Sequence, residues 1–492
     1  MLYQQPVERA AMSDSSNGGD LDPASRRLGE PAAATAFRWA IFGGLLLMLG
    51  ANLPGHLTYD SVVQLFEGRT GVRQTWAPAT LSWLLGRFDH LVPGTGLYVT
   101  ACGLVLSASL ASLRSLRPRT TWLAPVLAAG FVLTPALLIY QAIVWKDVLF
   151  ANLTIAGFVC LAHAAAAWRE PRRRVLPLAA ALLCLSAAML VRQNGLIVVA
   201  AAAAALAWTA RGGGWRASAA FGLGGLAAML LLSHVIGAAV QPRNTTMDGD
   251  THKGMRILQH YDIVGAQAHD PSLRLSVIEQ ANPRAAALIS TVGARIYSPE
   301  RVDTLADAPD FQKVLWRLPD TVVSAQWRDL IVNHTGAYLA QRMDAFRWVF
   351  LTPDIDQCLP YSVGIDGPLD DLKALGIPPA VEPQDEAMDS YGSRFKETPA
   401  FSHLAYALAA LGVAILLLLR REPADMVMAA LMIAALAFAA SFFVISLACD
   451  YRYLYALDLA AITGLLYLAL DPPLPSRRPG GARRSKAGVT LH

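Results

Sequence analysis

Apolar runs separated by short loops of alternating character dominate this chain. Ten such runs span 37–54, 95–113, 121–143, 148–168, 175–191, 195–210, 217–240, 401–419, 425–447 and 453–470. Lengths of about 17–25 residues, at the rise of an α-helix, match the hydrocarbon core of a bilayer. The 492 residues are 54% hydrophobic and only 16% charged, where a soluble domain carries roughly 25% charged residues. The expected fold is therefore an all-α polytopic membrane protein with about ten transmembrane helices. A net charge of +4 is small. Its uneven placement carries topology information and gives no nucleic-acid footprint.

The arginines fix an orientation. Arg114, Arg117 and Arg119 follow the second run, and Arg169, Arg172, Arg173 and Arg174 the fourth. Arg211 and Arg216 follow the sixth, and Arg420 and Arg421 the eighth. A basic tail over 471–492, with Arg477, Arg478, Arg483, Arg484 and Lys486, follows the tenth. All these loops fall on one side, which the positive-inside rule makes cytoplasmic, together with both termini. The setting expected is the bacterial inner (cytoplasmic) membrane. The polar residues 1–36 read as a disordered cytoplasmic segment. The first run then serves as an uncleaved insertion signal. Residues 37–240 form an N-terminal membrane module of seven helices, and 401–470 the C-terminal helices. Over 175–210, where two short runs meet at Gln193, Asn194 and Gly195, a re-entrant pair is the alternative.

Two larger pieces fall outside. The loop 55–94 reads as two short amphipathic helices lying in the interface. In the first, Tyr59, Val62, Val63 and Phe66 form an apolar face, and Asp60, Gln64 and Glu67 a polar one. In the second, Leu81, Leu84, Leu85, Phe88 and Leu91 recur at helical spacing. Residues 241–400 form a soluble periplasmic insertion, mixed and mainly helical. Residues 320–350 read as one long amphipathic helix closed by Pro353, and 353–400 as loop with short helices. Its His252, His260, His269, Asp248, Asp250 and Asp262 match no standard metal spacing. Of five cysteines, Cys102, Cys160 and Cys184 read as small core residues. Cys358 and Cys449 both fall outside, where a disulfide can form.

Ionisable residues gather at the outward ends of the runs. A charge at a bilayer boundary is costly unless wet, paired or used, so their convergence marks a candidate site. Asp60 is placed to take a proton from a hydroxyl presented from the aqueous side, with His56, Tyr59 and Gln64 near it in sequence to orient a polar substrate. Read blandly, Asp60 faces water and caps a helix. Lys146 and Asp147 lie in a turn so short that both sit at the membrane surface. The lysine is a point charge suited to phosphate, or half of a charge pair beside the anchor Trp145. Arg192 and Asn194 sit outside, against the positive-inside bias. Guanidinium grips phosphate bidentately, and snorkelling to headgroups is the plain alternative. Asp450, Arg452 and Tyr453 belong to a dense polar and aromatic turn. Asp458 lies about a turn and a half deeper.

The order of these elements resembles the GT-C superfamily of integral-membrane glycosyltransferases. The residues carrying the resemblance are Asp60 in YDSVVQ, Trp76 and Pro78 in WAPATLSWLL, Trp145–Asp147, Arg192 with Asn194, and Arg452 with Tyr453. Ala77 departs from the His-Pro pair of many members. The resemblance covers most of the membrane part and little of 241–400. It implies a sugar taken from a polyprenyl-phosphate carrier and moved to an extracytoplasmic glycan or lipid acceptor, among membrane lipids. Asp60 would be the general base of an inverting displacement. Lys146, Arg192 and Arg452 would bind the lipid phosphate. His56, Tyr59, Gln64, Asp147, Asn194, Asp450 and Tyr453 would position substrate. Some members use a divalent metal. Asp60, Asp147 and Asp450 could hold one, but the cations beside them disfavour it, and no cofactor is expected. A lipid-linked glycan polymerase or ligase is a second reading. A flippase is a third, weakened by charges lying at one surface and by the absence of two related halves.

Overall fold

The computed structural model describes residues 23–75, 78–241, 244–245 and 253–472. Residues 1–22 of the expected disordered segment, Trp76, Ala77, Asp248, Asp250, His252 and residues 473–492 of the basic tail lie outside the described residues. The protein is an all-α polytopic membrane protein. Among the described residues, nine helices are long and apolar enough to cross a bilayer, and ten if a bent pair counts as one span.

Helix α1 runs Pro23–Asn52, well ahead of the expected start at 37. Ala32, Ala33, Ala34 and Ala36 are strong helix formers. Ala33 and Phe37 are fully buried, so 30–36 pack rather than trail as disordered chain. Helices α2 (Tyr59–Thr70) and α3 (Ala79–Leu91) occupy the loop after α1, and α4 (Gly96–Ser112) follows. The expected third span is broken. Helices α5 (Leu123–Val132) and α6 (Pro135–Leu138) meet at a 69° bend, because Thr134 before Pro135 is pushed into an extended conformation. Helices α7 (Lys146–Ala166), α8 (Pro171–Val191), α9 (Leu196–Ala210) and α10 (Trp215–Ala239) complete the N-terminal module. Both helices of the 175–210 region reach 21 residues with their flanking turns, so neither is a half-span. After the insertion come the helices His403–Arg420, Pro423–Ile445 and Tyr455–Leu470.

The insertion divides between two cores. Helix α11 (Lys253–His269) and the segments through Ala345 share a core of their own, with Tyr261, Val264, Phe311 and Leu330 at its centre. Tyr361, Leu372, Leu375 and Phe401 instead join the membrane module's core. The expected single helix over 320–350 is two, Asp320–Asn333 and Thr335–Leu351, parted at His334. There Thr335 turns its hydroxyl back onto the Ile331 carbonyl, a local bond that competes with the helix ladder.

Helix α2 packs against protein along most of its length. Val62 meets Gly367 of the insertion, and the Leu57 amide donates to the Gly364 carbonyl. Gln64 and Glu67 of the expected polar face are buried, while Tyr59 of the apolar face is exposed. Val62 and Val63 of the apolar face are buried as well, so α2 is enclosed on both sides. Helices α2 and α3 cross at Gly68 and Gly86, where a Cβ on Gly68 would stand 2.1 Å from the Ser82 carbonyl oxygen. Gly68→Val therefore forces the pair apart and is expected to cost about 1–3 kcal/mol. The check is melting temperature and proteolysis across residues 71–78, with Gly43→Ala, which meets nothing within 4 Å, as the neutral comparison. Unchanged melting of the Gly68 variant would refute the close crossing.

Candidate active site

Backbone pairing joins the segment just after α1 to the segment just before α7. The His56 amide donates to the Ala142 carbonyl, and the Val144 amide to the His56 carbonyl. His56 and Ile143 are thus bridged in parallel. Trp145 Nε1 donates to Thr58 Oγ1 at 2.9 Å. This register sets Lys146 and Asp147, at the start of α7, beside Asp60 in the first turn of α2.

Arg452 is the hub. Its Nη2 lies 2.8 Å from Asp60 Oδ2 and 2.9 Å from Asp450 Oδ2. Its Nε is 3.1 Å from Asp450 Oδ2 and 3.9 Å from Asp147 Oδ2. Its guanidinium sits 5.0 Å from the centre of the Trp145 ring, a cation–π contact that tolerates desolvation. Arg192 pairs with the other oxygen of Asp147 and donates to the Tyr453 carbonyl at 3.3 Å. Phe442, Tyr453 and Phe438 surround that guanidinium at 5.3, 5.4 and 5.8 Å. Lys146 interacts electrostatically with Asp60, Asp147, Arg192 and Arg452. Six ionisable side chains from four distant stretches therefore form one cluster of three acids and three cations.

Burial separates their parts. Asp147 is 1% exposed and Asp60 45%. A buried carboxylate must stay paired, and Asp147 is anchored by Arg192, while its Oδ2, 3.9 Å from Arg452 Nε, makes no hydrogen bond among the described residues. Asp60 is the acid that meets solvent. Lys146 and Asp147 form the first turn of α7, so the positive end of that helix dipole adds to the site's attraction for anions.

The remaining candidates lie outside the cluster. His56 donates from Nε2 to Asn52 Oδ1 and accepts the Gly364 amide on Nδ1, each at 3.0 Å. Burial pushes its pKa down to about 4. The ring is neutral, and its 3.4 Å approach to Asp385 is not a charge pair. His56 positions backbone rather than substrate. Tyr59 projects into solvent, and Gln64 is buried within α2's packing. Asn194 donates to Ser441 Oγ at 3.1 Å, pinning the α8–α9 turn to the helix Pro423–Ile445. Gly195 serves that turn, since a Cβ there would stand 2.9 Å from Met189 Cα. Tyr453 contributes a carbonyl and a stacked ring.

Asp60, Asp147 and Asp450 converge on the Arg452 guanidinium, so a cation already occupies the place a metal ion would take. No group of three His, Cys, Asp or Glu side chains among the described residues could hold a metal.

The turn carrying Asp450 and Arg452 is braced by the insertion. Cys449 is disulfide-bonded to Cys358, and its amide donates to the Glu300 carbonyl at 2.8 Å. Arg342, fully buried and paired with Asp262, donates to the Ser446 carbonyl at 2.9 Å. Below the turn, Asp458 meets His403 Nδ1 at 2.9 Å, and the His403 ring stacks 3.9 Å from Tyr451. Asp458 is visible in the sequence as an acid in an apolar run. His403 opens the span after the insertion with no such signal.

No family model matches the chain. No curated protein matches it. Among solved structures, the archaeal oligosaccharyltransferase AglB from Archaeoglobus fulgidus, in complex with an inhibitory peptide and a dolichol-phosphate, overlays with a TM-score of 0.37 at 12% identity. The overlay covers 87% of this chain and 50% of that one. The chain thus spans about half that protein's length, and an overlay this loose does not identify it.

Proposed function

We propose that this protein is an inverting membrane glycosyltransferase that moves a sugar from a polyprenyl-phosphate carrier to an extracytoplasmic acceptor. One observation carries the reading: the half-exposed Asp60 stands at the edge of a cluster that gathers Lys146, Arg192 and Arg452 at the ends of the spans.

The cluster suits a guest anion. Without one, three acids balance three cations. A donor phosphodiester adds a negative charge, and a carboxylate must then yield its guanidinium. Asp147 and Asp450 are the more buried, so Asp60 yields. Donor binding thereby frees Asp60 from Arg452 at the moment a base is needed. The acceptor hydroxyl oxygen attacks the anomeric carbon as its proton passes to Asp60. The bond from the anomeric carbon to the phosphate oxygen breaks, and its electron pair stays on the phosphate. Lys146, Arg192 and Arg452 stabilise the charge that grows there. A single displacement inverts the anomeric centre. The step needs no metal, and the guanidinium standing among the carboxylates supports a metal-free route.

The reading places the cluster outside the cytoplasmic membrane of a bacterium, with both termini within. In inside-sealed cells, a membrane-impermeant thiol reagent is expected to label a cysteine placed at exposed Tyr59 but not one at exposed Arg172. The reverse pattern would sink the orientation. For the donor, purified protein is expected to bind decaprenyl phosphate at least tenfold more tightly than decaprenol. Equal binding of the two would remove the phosphate site.

A further inference from the structure

We propose that the helix Thr335–Leu351 of the insertion is seated in the membrane, with an apolar stripe resting on the lipid chains of the leaflet nearest the insertion.

Leu339, Met343, Phe346 and Phe350 recur at i, i+4, i+7 and i+11 of that helix, so they share one face. The row extends about 16 Å along the axis. The adjoining side is spent on protein. Tyr338 and Ala345 enter the insertion's own core, and Val349 enters the core of the membrane module. The stripe grades outward from that junction. Phe346 and Phe350, half-buried and stacked at 5.4 Å, pack against the membrane core. Met343 is 58% exposed and Leu339 44%. A contiguous apolar row turned out of the protein marks a surface that meets something other than water.

The neighbours identify what it meets. The Phe346 ring stands edge-on to Phe443, with 5.9 Å between centres, at the end of the span Pro423–Ile445. The next two residues of that span, Val444 and Ile445, are exposed. Side chains turned outward on an apolar helix that crosses a bilayer meet lipid. The helix also packs against the span His403–Arg420, whose Leu404 and Leu408 are exposed in its first two turns. The stripe therefore continues a band that lipid already covers. A protein partner would have to stop where the lipid around Val444 begins, whereas the bilayer covers both without a seam. Arg347, exposed, follows Phe346 at the rim of the stripe. Among the described residues the ion pairs of this helix belong to Arg342 and Asp344. A cation edging an apolar face lays its stem over the chains and holds its charge among lipid phosphates, as interfacial helices do.

The same helix steadies the charge cluster. Arg342, on its buried side, donates to the Ser446 carbonyl, in the segment leading to Asp450 and Arg452. The leaflet that holds the helix thus also sets the depth of that turn.

The test is photocrosslinking of the full chain in nanodiscs of phosphatidylcholine and phosphatidylglycerol, with products read by mass. The photoreactive residue p-benzoylphenylalanine is placed at Met343, at Leu408 or at Asp310. All three side chains are exposed, so packing is little disturbed. Leu408, on a span, calibrates the capture of phospholipid. Asp310, beside Phe311 of the insertion's own core, reports casual contact. Met343 is expected to capture phospholipid in a yield near that of Leu408 and about tenfold above that of Asp310. Absence of a phospholipid adduct at Met343 while Leu408 forms one overturns the proposal. A product of twice the chain's mass overturns it too, because the stripe then joins two copies. So does equal capture at Asp310, which would spread lipid over the insertion without regard to the stripe.

Discussion

Asp60→Asn is expected to abolish transfer while leaving the protein inserted, folded and able to hold its donor. The substitution keeps size and hydrogen-bonding shape, and the side chain it changes is 45% exposed, so packing is little disturbed. What disappears is a proton acceptor. General-base catalysis contributes about 10²–10⁴-fold, or roughly 3–5 kcal/mol of barrier. Binding should move the other way. Arg452 loses a competing carboxylate and keeps Asp450 and Asp147, so decaprenyl phosphate should bind as tightly as before or somewhat more tightly. Cells carrying the variant should accumulate lipid-linked sugar. Turnover equal to that of the parent, at equal protein levels, would take the base assignment away from Asp60. Lost turnover with lost donor binding would instead make Asp60 part of the phosphate site.

The spans were legible because a bilayer leaves few alternatives to an apolar helix, and each arginine-rich loop punctuated them. The bend at Thr134–Pro135 was readable in principle, since proline removes a donor and restricts its neighbour. An apolar run on both sides concealed it. The members of the charge cluster could be named because an ionisable residue beside an apolar run is conspicuous. Their partners could not. Nothing local in the sequence pairs Asp147 with Arg192, or places Trp145 beneath Arg452. Those contacts depend on the His56–Ile143 bridge and on a turn held by Cys449 and Arg342 from far along the chain. The polar face of α2 misled for a related reason. Glu67 looks like a solvent-facing residue until Ser82 of α3 and the amides of Gln74 and Thr75 close over it, and only the packing of separate segments reveals that. His56 was drawn towards the site by its nearness to Asp60, yet its ring serves the backbone of Gly364.

Arg452→Ala should damage donor binding more than any other single change in the cluster. Arg452 faces Asp60, Asp450 and, farther off, Asp147. Without it the cluster carries three acids against two cations, and a donor phosphate meets net negative charge. Two unit charges about 4 Å apart interact by roughly 4 kcal/mol at an effective dielectric of 20. Allowing for solvent at the exposed edge, a loss of about 2–3 kcal/mol, near 100-fold in affinity for decaprenyl phosphate, is the expected result. Arg452→Lys should recover part of it, because an ammonium restores charge but cannot reach Asp60 and Asp450 while gripping phosphate with a planar fork. Folding is a separate matter, since carboxylates stripped of their cation repel one another. Arg452→Ala combined with Asp450→Ala restores the charge balance and should recover stability without recovering donor affinity. That split decides between a structural brace and a phosphate ligand. If the double variant binds decaprenyl phosphate as the parent does, Arg452 holds the fold together and Lys146 and Arg192 alone must carry the anion.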